Sequence, residues 1–373
     1  MIWMRQLSRW AVLLVVTVAV TAPLTMLGVP SAALFAALVV GIVLALMSLG
    51  PARVPRPLGL AAQGVLGVYI GTMVQDDALG ALGDDWALVL GVALSTLVLS
   101  VAAGALLGLR RDVTPLTGSL SLVAGGASGL VAIARELGGD VRVVAVLQYL
   151  RVALITASMP VVVTLVYHAD KTRSAETLKQ ESGAPWYLSL GMLVVLVLVG
   201  GTVGRWIRLP GAGLLGPLAL TVALELGGFS FGLSVPVLLV QAGYLLIGWQ
   251  AGLAFTRDSL RAVGRVLPAA IALIVVLGLV TAGLGVLLAR AAGLTPLEGY
   301  LATSPGGVYA VLATAVETGS NVTFIIAAQV VRILMMLFAA PLLARAVVRA
   351  TRRFGAQSRA ITEDSREPIR VAD

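Results

Sequence analysis

A chain of 373 residues that is 59% hydrophobic and only 12% charged is not a water-soluble domain, which would carry about 25% charged residues. Its net charge of +8 does not mark a nucleic-acid partner, because the arginines sit at the ends of apolar runs and no basic face is interleaved with aromatics. Without cysteine and with a single histidine there are no disulfides, no thiol chemistry and no ligand set for a copper or iron site. No Walker sequence is present either, so no cofactor and no enzymatic activity is expected.

The first apolar run, about 11–27, has the basic start and small residues of a signal peptide, but the second half of the chain repeats it at 186–204, so it reads as a retained span. Runs follow at about 31–49, 58–75, 86–108, 114–138 and 141–167. The second six are 186–204, 210–227, 235–255, 266–289, 295–318 and 321–344. Thr114-Pro115-Leu116 recurs as Thr295-Pro296-Leu297, 181 positions on. At that shift Gly125-Gly126 meets Gly306-Gly307, Glu136 meets Glu317, Gln148 meets Gln329, Arg151 meets Arg332, and Gly67 and Gly71 meet Gly248 and Gly252. A shift of 180 pairs Val29-Pro30 with Leu209-Pro210. Polar residues and prolines in register mark a duplication. The expected organisation is a first membrane repeat over 1–167, a polar loop over 168–185, a second repeat over 186–350, and a disordered cytoplasmic tail over 351–373.

Positive charge orients membrane segments. In the first half it lies at residues 1–9, Arg53/Arg56 and Arg110/Arg111, while the intervening loop carries Asp76, Asp77, Asp84 and Asp85. In the second half the loop matching those aspartates is the basic one, with Arg257, Arg261 and Arg265. The halves are therefore expected to be inverted, which requires an odd number of crossings in each. The fifth element of each half is the one expected not to cross. Leu116–Ala132 is rich in Gly and Ser, and Ser304-Pro305-Gly306-Gly307 interrupts its partner. The expected fold is thus all-α and polytopic: about ten transmembrane helices and two Gly-rich re-entrant helices entering from opposite faces, with both termini cytoplasmic. The alternative is that both elements cross as broken helices.

Breaks at Gly125-Gly126 and Gly306-Gly307 would present helix N-termini to an anionic group, with hydroxyls from Ser119, Ser121, Ser128, Thr303, Ser304 and Tyr309. Gln148-x-x-Arg151 and Gln329-x-x-Arg332 place an arginine about ten residues into a helix, about 15 Å deep at 1.5 Å per residue. A guanidinium there marks either a substrate or coupling contact, or a buried ion pair with Glu136 or Glu317. Gly67-x-x-x-Gly71 and Gly248-x-x-x-Gly252 read as helix-packing faces. Glu225 reads as a carboxyl deep in a span, a candidate proton or cation carrier, and His168 as a solvated loop residue.

The stretch Ala302-Thr303-Ser304-Pro305-Gly306-Gly307, followed by Gln329-Val330-Val331-Arg332 and Pro341, with its first-half echo, resembles the bacterial AbrB membrane protein family over roughly residues 10–350. This is the duplicated family that often carries an ammonia monooxygenase label, distinct from the DNA-binding regulators of the same name. The resemblance implies a distant likeness to inverted-repeat secondary transporters, and one relative's name links it to regulation of gene expression. The monooxygenase label conflicts with the missing metal ligands. Ala124 stands where Pro305 does and Asp140 where Asn321 does, so the two tips are not equivalent. The expected function is secondary transport of a small anionic or zwitterionic solute in the bacterial inner membrane. A non-transporting sensor or regulator is the alternative. The expected partners are that solute, the bilayer and a second copy in a homodimer, with no nucleic acid.

Overall fold

The computed structural model describes residues 2–74, 83–110, 113–124, 127–169, 185–209, 211–229 and 232–336, with scattered positions up to 349. Among these residues all regular structure is helical. The first half forms α1 (Ile2–Met26), α2 (Ala32–Leu46), α3 (Arg56–Gly71), α4 (Trp86–Leu107), α5 (Pro115–Leu122), α6 (Ala127–Glu136) and α7 (Val141–Val161). The second forms α8 (Trp186–Trp206), α9 (Ala212–Leu226), α10 (Val237–Gly252), α11 (Arg257–Ala262), α12 (Leu267–Ala291), α13 (Pro296–Thr303), α14 (Val308–Glu317) and α15 (Val322–Met336). The 168–185 loop, apart from its ends, and the 351–373 tail lie outside the described residues.

Among the described residues five helices are long and apolar enough to cross a membrane: Gln6–Met26, Trp86–Leu107, Val141–Val166, Trp186–Trp206 and Leu267–Ala291. Their outer faces expose large apolar side chains such as Val15, Leu198 and Leu279, which suits lipid as the solvent. The third span is completed by a π-helical turn, Val162–Val166, just after Pro160, which has no amide to donate into the helix ladder.

Four helices are shorter than their apolar runs. α2 and α9 have 15 residues, α3 and α10 have 16. At 1.5 Å per residue these reach about 23 Å, less than the roughly 30 Å of a hydrocarbon core. The reason lies in their ends. Left-handed residues Ser31 and Gly211 precede α2 and α9, and Ser48 and Gly228 follow them. Pro55 and Pro236 set the starts of α3 and α10. These stops recur at matched positions because both halves inherit the same local rules.

The helices sort into two groups. α1, α2 and α3 pack with α8, α9 and α10, whereas α4, α5, α6 and α7 pack with α12 and α13, and α13 with α14. The groups touch more sparsely, through α2 and α10 on α7 and through α3 on α14. In the first group the two halves pair reciprocally. A Cβ on Gly67 of α3 would stand 2.5 Å from the Leu214 carbonyl oxygen of α9, and one on Gly248 of α10 would stand 2.5 Å from that of Leu34 on α2. The glycines are therefore packing faces that let backbone meet backbone. In the second group Gly104 meets Gly118 as Gly285 meets Gly299.

The fifth elements fold as helical hairpins whose outer ends meet. The Asp140 amide, after α6, donates to Thr117 Oγ1 in α5 at 3.0 Å. In the second hairpin Thr295 and Glu298 form a reciprocal cap at the start of α13, and the Asn321 amide, after α14, donates to Glu298 Oε1 at 2.7 Å. Glu298 thus clasps both arms. Glu298→Ala removes the cap and the clasp together, so it should cost about 1–2 kcal/mol at a single site. A thermal-unfolding comparison with Glu298→Gln, which keeps acceptor capacity, checks this.

Candidate functional site

The two hairpin tips are held by the same pair of side chains, a glutamine and an arginine, used once in each half. Helices α5 and α13 end at Leu122 and Thr303, leaving terminal carbonyls without partners inside the helix. Gln148 Nε2 donates to Leu120 O at 2.7 Å and Val123 O at 2.8 Å, and Arg151 Nη1 donates to Leu122 O at 3.1 Å. In the second half Gln329 Nε2 donates to Leu301 O at 2.8 Å, Ala302 O at 3.3 Å and Ser304 O at 3.4 Å. Arg332 Nη1 donates to Thr303 O at 3.1 Å and to Ser304 O, and Nη2 to Gln329 Oε1. Bonds from matched donors reach matched acceptors 181 residues apart. A cation at a helix C-terminus is also favoured by the helix dipole.

The hairpins reach this region from opposite ends of α7. The open end of the first lies where α7 begins, since Asp140 caps α7 and bonds Thr117. Its tip is reached at Gln148 and Arg151. Further along α7, Thr156 Oγ1 accepts the Gly307 amide of the second tip at 3.2 Å. Beyond that, Thr314 Oγ1 lies 3.5 Å from Met159 Sδ, and the Tyr167 and Tyr300 rings stack at 5.4 Å. The second hairpin therefore opens where α7 ends, and the tips converge over the stretch from Gln148 to Thr156, about 12 Å of helix.

Arg151 and Arg332 are each 3% exposed, and the Arg332 charge is close enough to act on Arg151. Both Nε atoms, Gln148 Oε1 and Ser119 Oγ are buried without a partner among the described residues, while the buried Ser304 hydroxyl interacts with that of Tyr300. The carbonyl bonds satisfy part of each guanidinium and neutralise none of its charge. The region therefore combines two buried positive charges with unmet donors and acceptors.

Several expectations are corrected. Among the described residues neither arginine pairs with Glu136 or Glu317. Glu136 is exposed, and Glu317 accepts a hydrogen bond from the Ser31 amide; carbonyl oxygens took the role assigned to the carboxylates. Ser121 Oγ donates to Thr117 O, and Thr303 Oγ1 to Thr281 O and Gly299 O, so these hydroxyls serve helix packing. Glu225 lies one residue from the end of α9 rather than deep in a span. His168 is exposed. The second tip is non-helical from Ser304 through Gly307, with Ser304 and Gly306 buried and Gly307 and Tyr309 half-buried. Gly125, Gly126 and the side chain of Ser128 lie outside the described residues. Sequence reasoning missed Thr156, whose hydroxyl ties the second tip to the first repeat. Its repeat mate is Leu337, which has no hydroxyl, so no symmetric signal marked it.

The family model described as "Transition state regulatory protein AbrB" matches residues 33–348. A protein of Escherichia coli (strain K12) named "Putative regulator AbrB" is 32% identical over 341 residues, covering 90% of this chain and 96% of that protein. A Bacillus subtilis (strain 168) protein, "Uncharacterized protein YhjN", is 24% identical over 292 residues, covering 75% of this chain and 76% of its own. The regulator wording belongs to those names.

Proposed function

We propose that this chain, which belongs to the AbrB family, is a secondary transporter of a small anionic or zwitterionic solute bound between the two hairpin tips. One observation carries the reading: two guanidiniums, each 3% exposed and close enough for the charge of one to act on the other, have Nε atoms without a partner among the described residues. Burying such a charge costs several kcal/mol, and donating to neutral carbonyls recovers only part of it. An anion placed between the tips would use the free donors and cancel like-charge repulsion. Ser119 and Ser304 would then add hydroxyl contacts.

In this reading the halves are inverted repeats in the membrane, the hairpins are re-entrant, and the flanking helices supply about ten crossings with cytoplasmic termini. The opposed approach of the hairpins along α7 and the reciprocal Gly67/Leu214 and Gly248/Leu34 contacts support it. The sparse contact between the helix groups supports a site that one group carries past the other. Expected partners remain the solute, the bilayer and a second copy; no chemistry on the solute is proposed.

The relatives' names favour a second reading, a membrane sensor that binds the same solute without moving it. A panel of mono- and dicarboxylates, phosphate, sulfonates and amino acids, tested by thermal shift on the purified protein, identifies ligands. A ligand at 100 times its Kd should stabilise by about 2.7 kcal/mol. Counterflow of that ligand in proteoliposomes then separates carrier from sensor: binding without flux means a sensor, and stabilisation by no anion removes the site.

A further inference from the structure

Ser31 holds a left-handed backbone, φ 52°, just before α2. That conformation is strained for a residue with a side chain. Its repeat mate, Gly211, adopts it at φ 66° without that penalty. Unlike the exposed left-handed Ser48, Ser31 is 2% exposed and its hydroxyl is buried without a partner among the described residues. The Ser31 amide donates to Glu317 Oε2. Tyr244, also 2% exposed, has a buried hydroxyl with no partner among the described residues, and the Glu317 charge acts on both Tyr244 and Tyr69.

The repeat mates of these residues are different in kind. Tyr244 corresponds to Gln63 and Tyr69 to Gln250. Those glutamines line a surface cavity of about 330 Å³ with Arg56, while Glu136, the mate of Glu317, is exposed. The repeat mates thus form no equivalent of the Ser31–Glu317 contact among the described residues.

We propose that Glu317 is a proton-binding site that latches the two helix groups together. Ser31 on α2, Tyr69 on α3 and Tyr244 on α10 belong to one group, and Glu317 on α14 to the other. The ionised carboxylate accepts from the Ser31 amide at the positive end of α2. On taking up a proton it becomes a donor, loses that charge-assisted bond, and can be met by hydroxyls, which accept as readily as they donate. A guanidinium, which only donates, would favour the ionised form. Tyr69 and Tyr244 are among the titratable groups on which the Glu317 charge acts, and the start of α2 adds the Ser31 amide. As the coupling site of a carrier this rests on the reading above, whereas as a protonation-driven latch it does not.

The test uses the full-length protein in nanodiscs without solute. The chain has no cysteine, so spin labels at L27C, beside α2, and L165C, at the end of α7, report the separation of the groups. Proton uptake on acidification should fall by about one proton per chain in Glu317→Gln. The label distance should shift with pH in the wild type and stay fixed in that variant. Tyr244→Phe, which removes only a hydroxyl, and Ser31→Gly, which removes the hydroxymethyl group and suits the left-handed backbone, should move the midpoint, and Ser31→Gly should not lower thermal stability. A Glu317→Gln protein that titrates and moves like the wild type overturns the proposal. So does loss of the proton with no change of distance, or Ser31→Gly and Tyr244→Phe both titrating like the wild type. Absent solute flux alongside these pH effects would remove the carrier and leave the latch.

Discussion

Gly248→Ala is expected to lose most of its folded, detergent-soluble protein, and Gly67→Ala to fail in the same way. The added methyl on Gly248 would sit 2.5 Å from Leu34 O, 2.6 Å from Ala37 Cβ and 3.0 Å from Leu38 N. Two of these are backbone atoms of a buried helix, so no rotamer change relieves the clash and the helices must part. Overpacking a core typically costs about 1–3 kcal/mol when side chains can move; here the cost should lie at or above that range. The control is Gly278→Ala on α12, where a Cβ meets nothing within 4 Å. Alanine is the better helix former by about 0.5–1 kcal/mol, so that variant should be neutral or stabilised. Equal loss in both variants, read by fluorescence-detected gel filtration and thermal unfolding, would mean that glycine serves helix flexibility rather than close packing.

The repeat was legible because polar residues matched in register, and it carried a good deal with it. The shift that pairs Gln148-x-x-Arg151 with Gln329-x-x-Arg332 also pairs their carbonyl acceptors, Leu122 with Thr303 and Val123 with Ser304. Pro305-Gly306-Gly307 announced the break of the second hairpin because neither residue type sustains a helix interior. What sequence could not give was the partner of each arginine. Charge pairing suggested Glu136 and Glu317, which lie on the neighbouring hairpins, but a helix C-terminus supplies acceptors that leave no mark in composition. Helix ends were read too long at α2, because the left-handed Ser31 and Ser48 are stops that propensity alone does not reveal. The Ser31–Glu317 contact joins residues 286 apart, across the two groups, and no local pattern encodes it.

Arg332→Gln is expected to fold, insert and lose solute binding, whereas Arg332→Ala is expected to lose stability as well. The difference follows from what each leaves behind. Alanine strips donors from Thr303 O, Ser304 O and Gln329 Oε1, and a buried acceptor left unmet costs about 1–3 kcal/mol. Glutamine can still donate an N–H to the tip, so the hairpin keeps its shape while the positive charge is gone. If the charge holds an anion, its loss should weaken binding by about 2–5 kcal/mol, or at least 30-fold. Lysine keeps the charge on a single nitrogen without the fork, so Arg332→Lys should bind weakly and melt between the other two. Arg151 makes one carbonyl bond where Arg332 makes two. Arg151→Ala should accordingly cost less stability at the same loss of binding. Since neither arginine pairs with Glu136 or Glu317, adding Glu136→Gln or Glu317→Gln should rescue none of these variants. Thermal unfolding and isothermal titration with the anion found by screening separate the outcomes. An Arg332→Gln protein that binds like the wild type would make both arginines tip clamps alone, and the solute site would have to lie elsewhere.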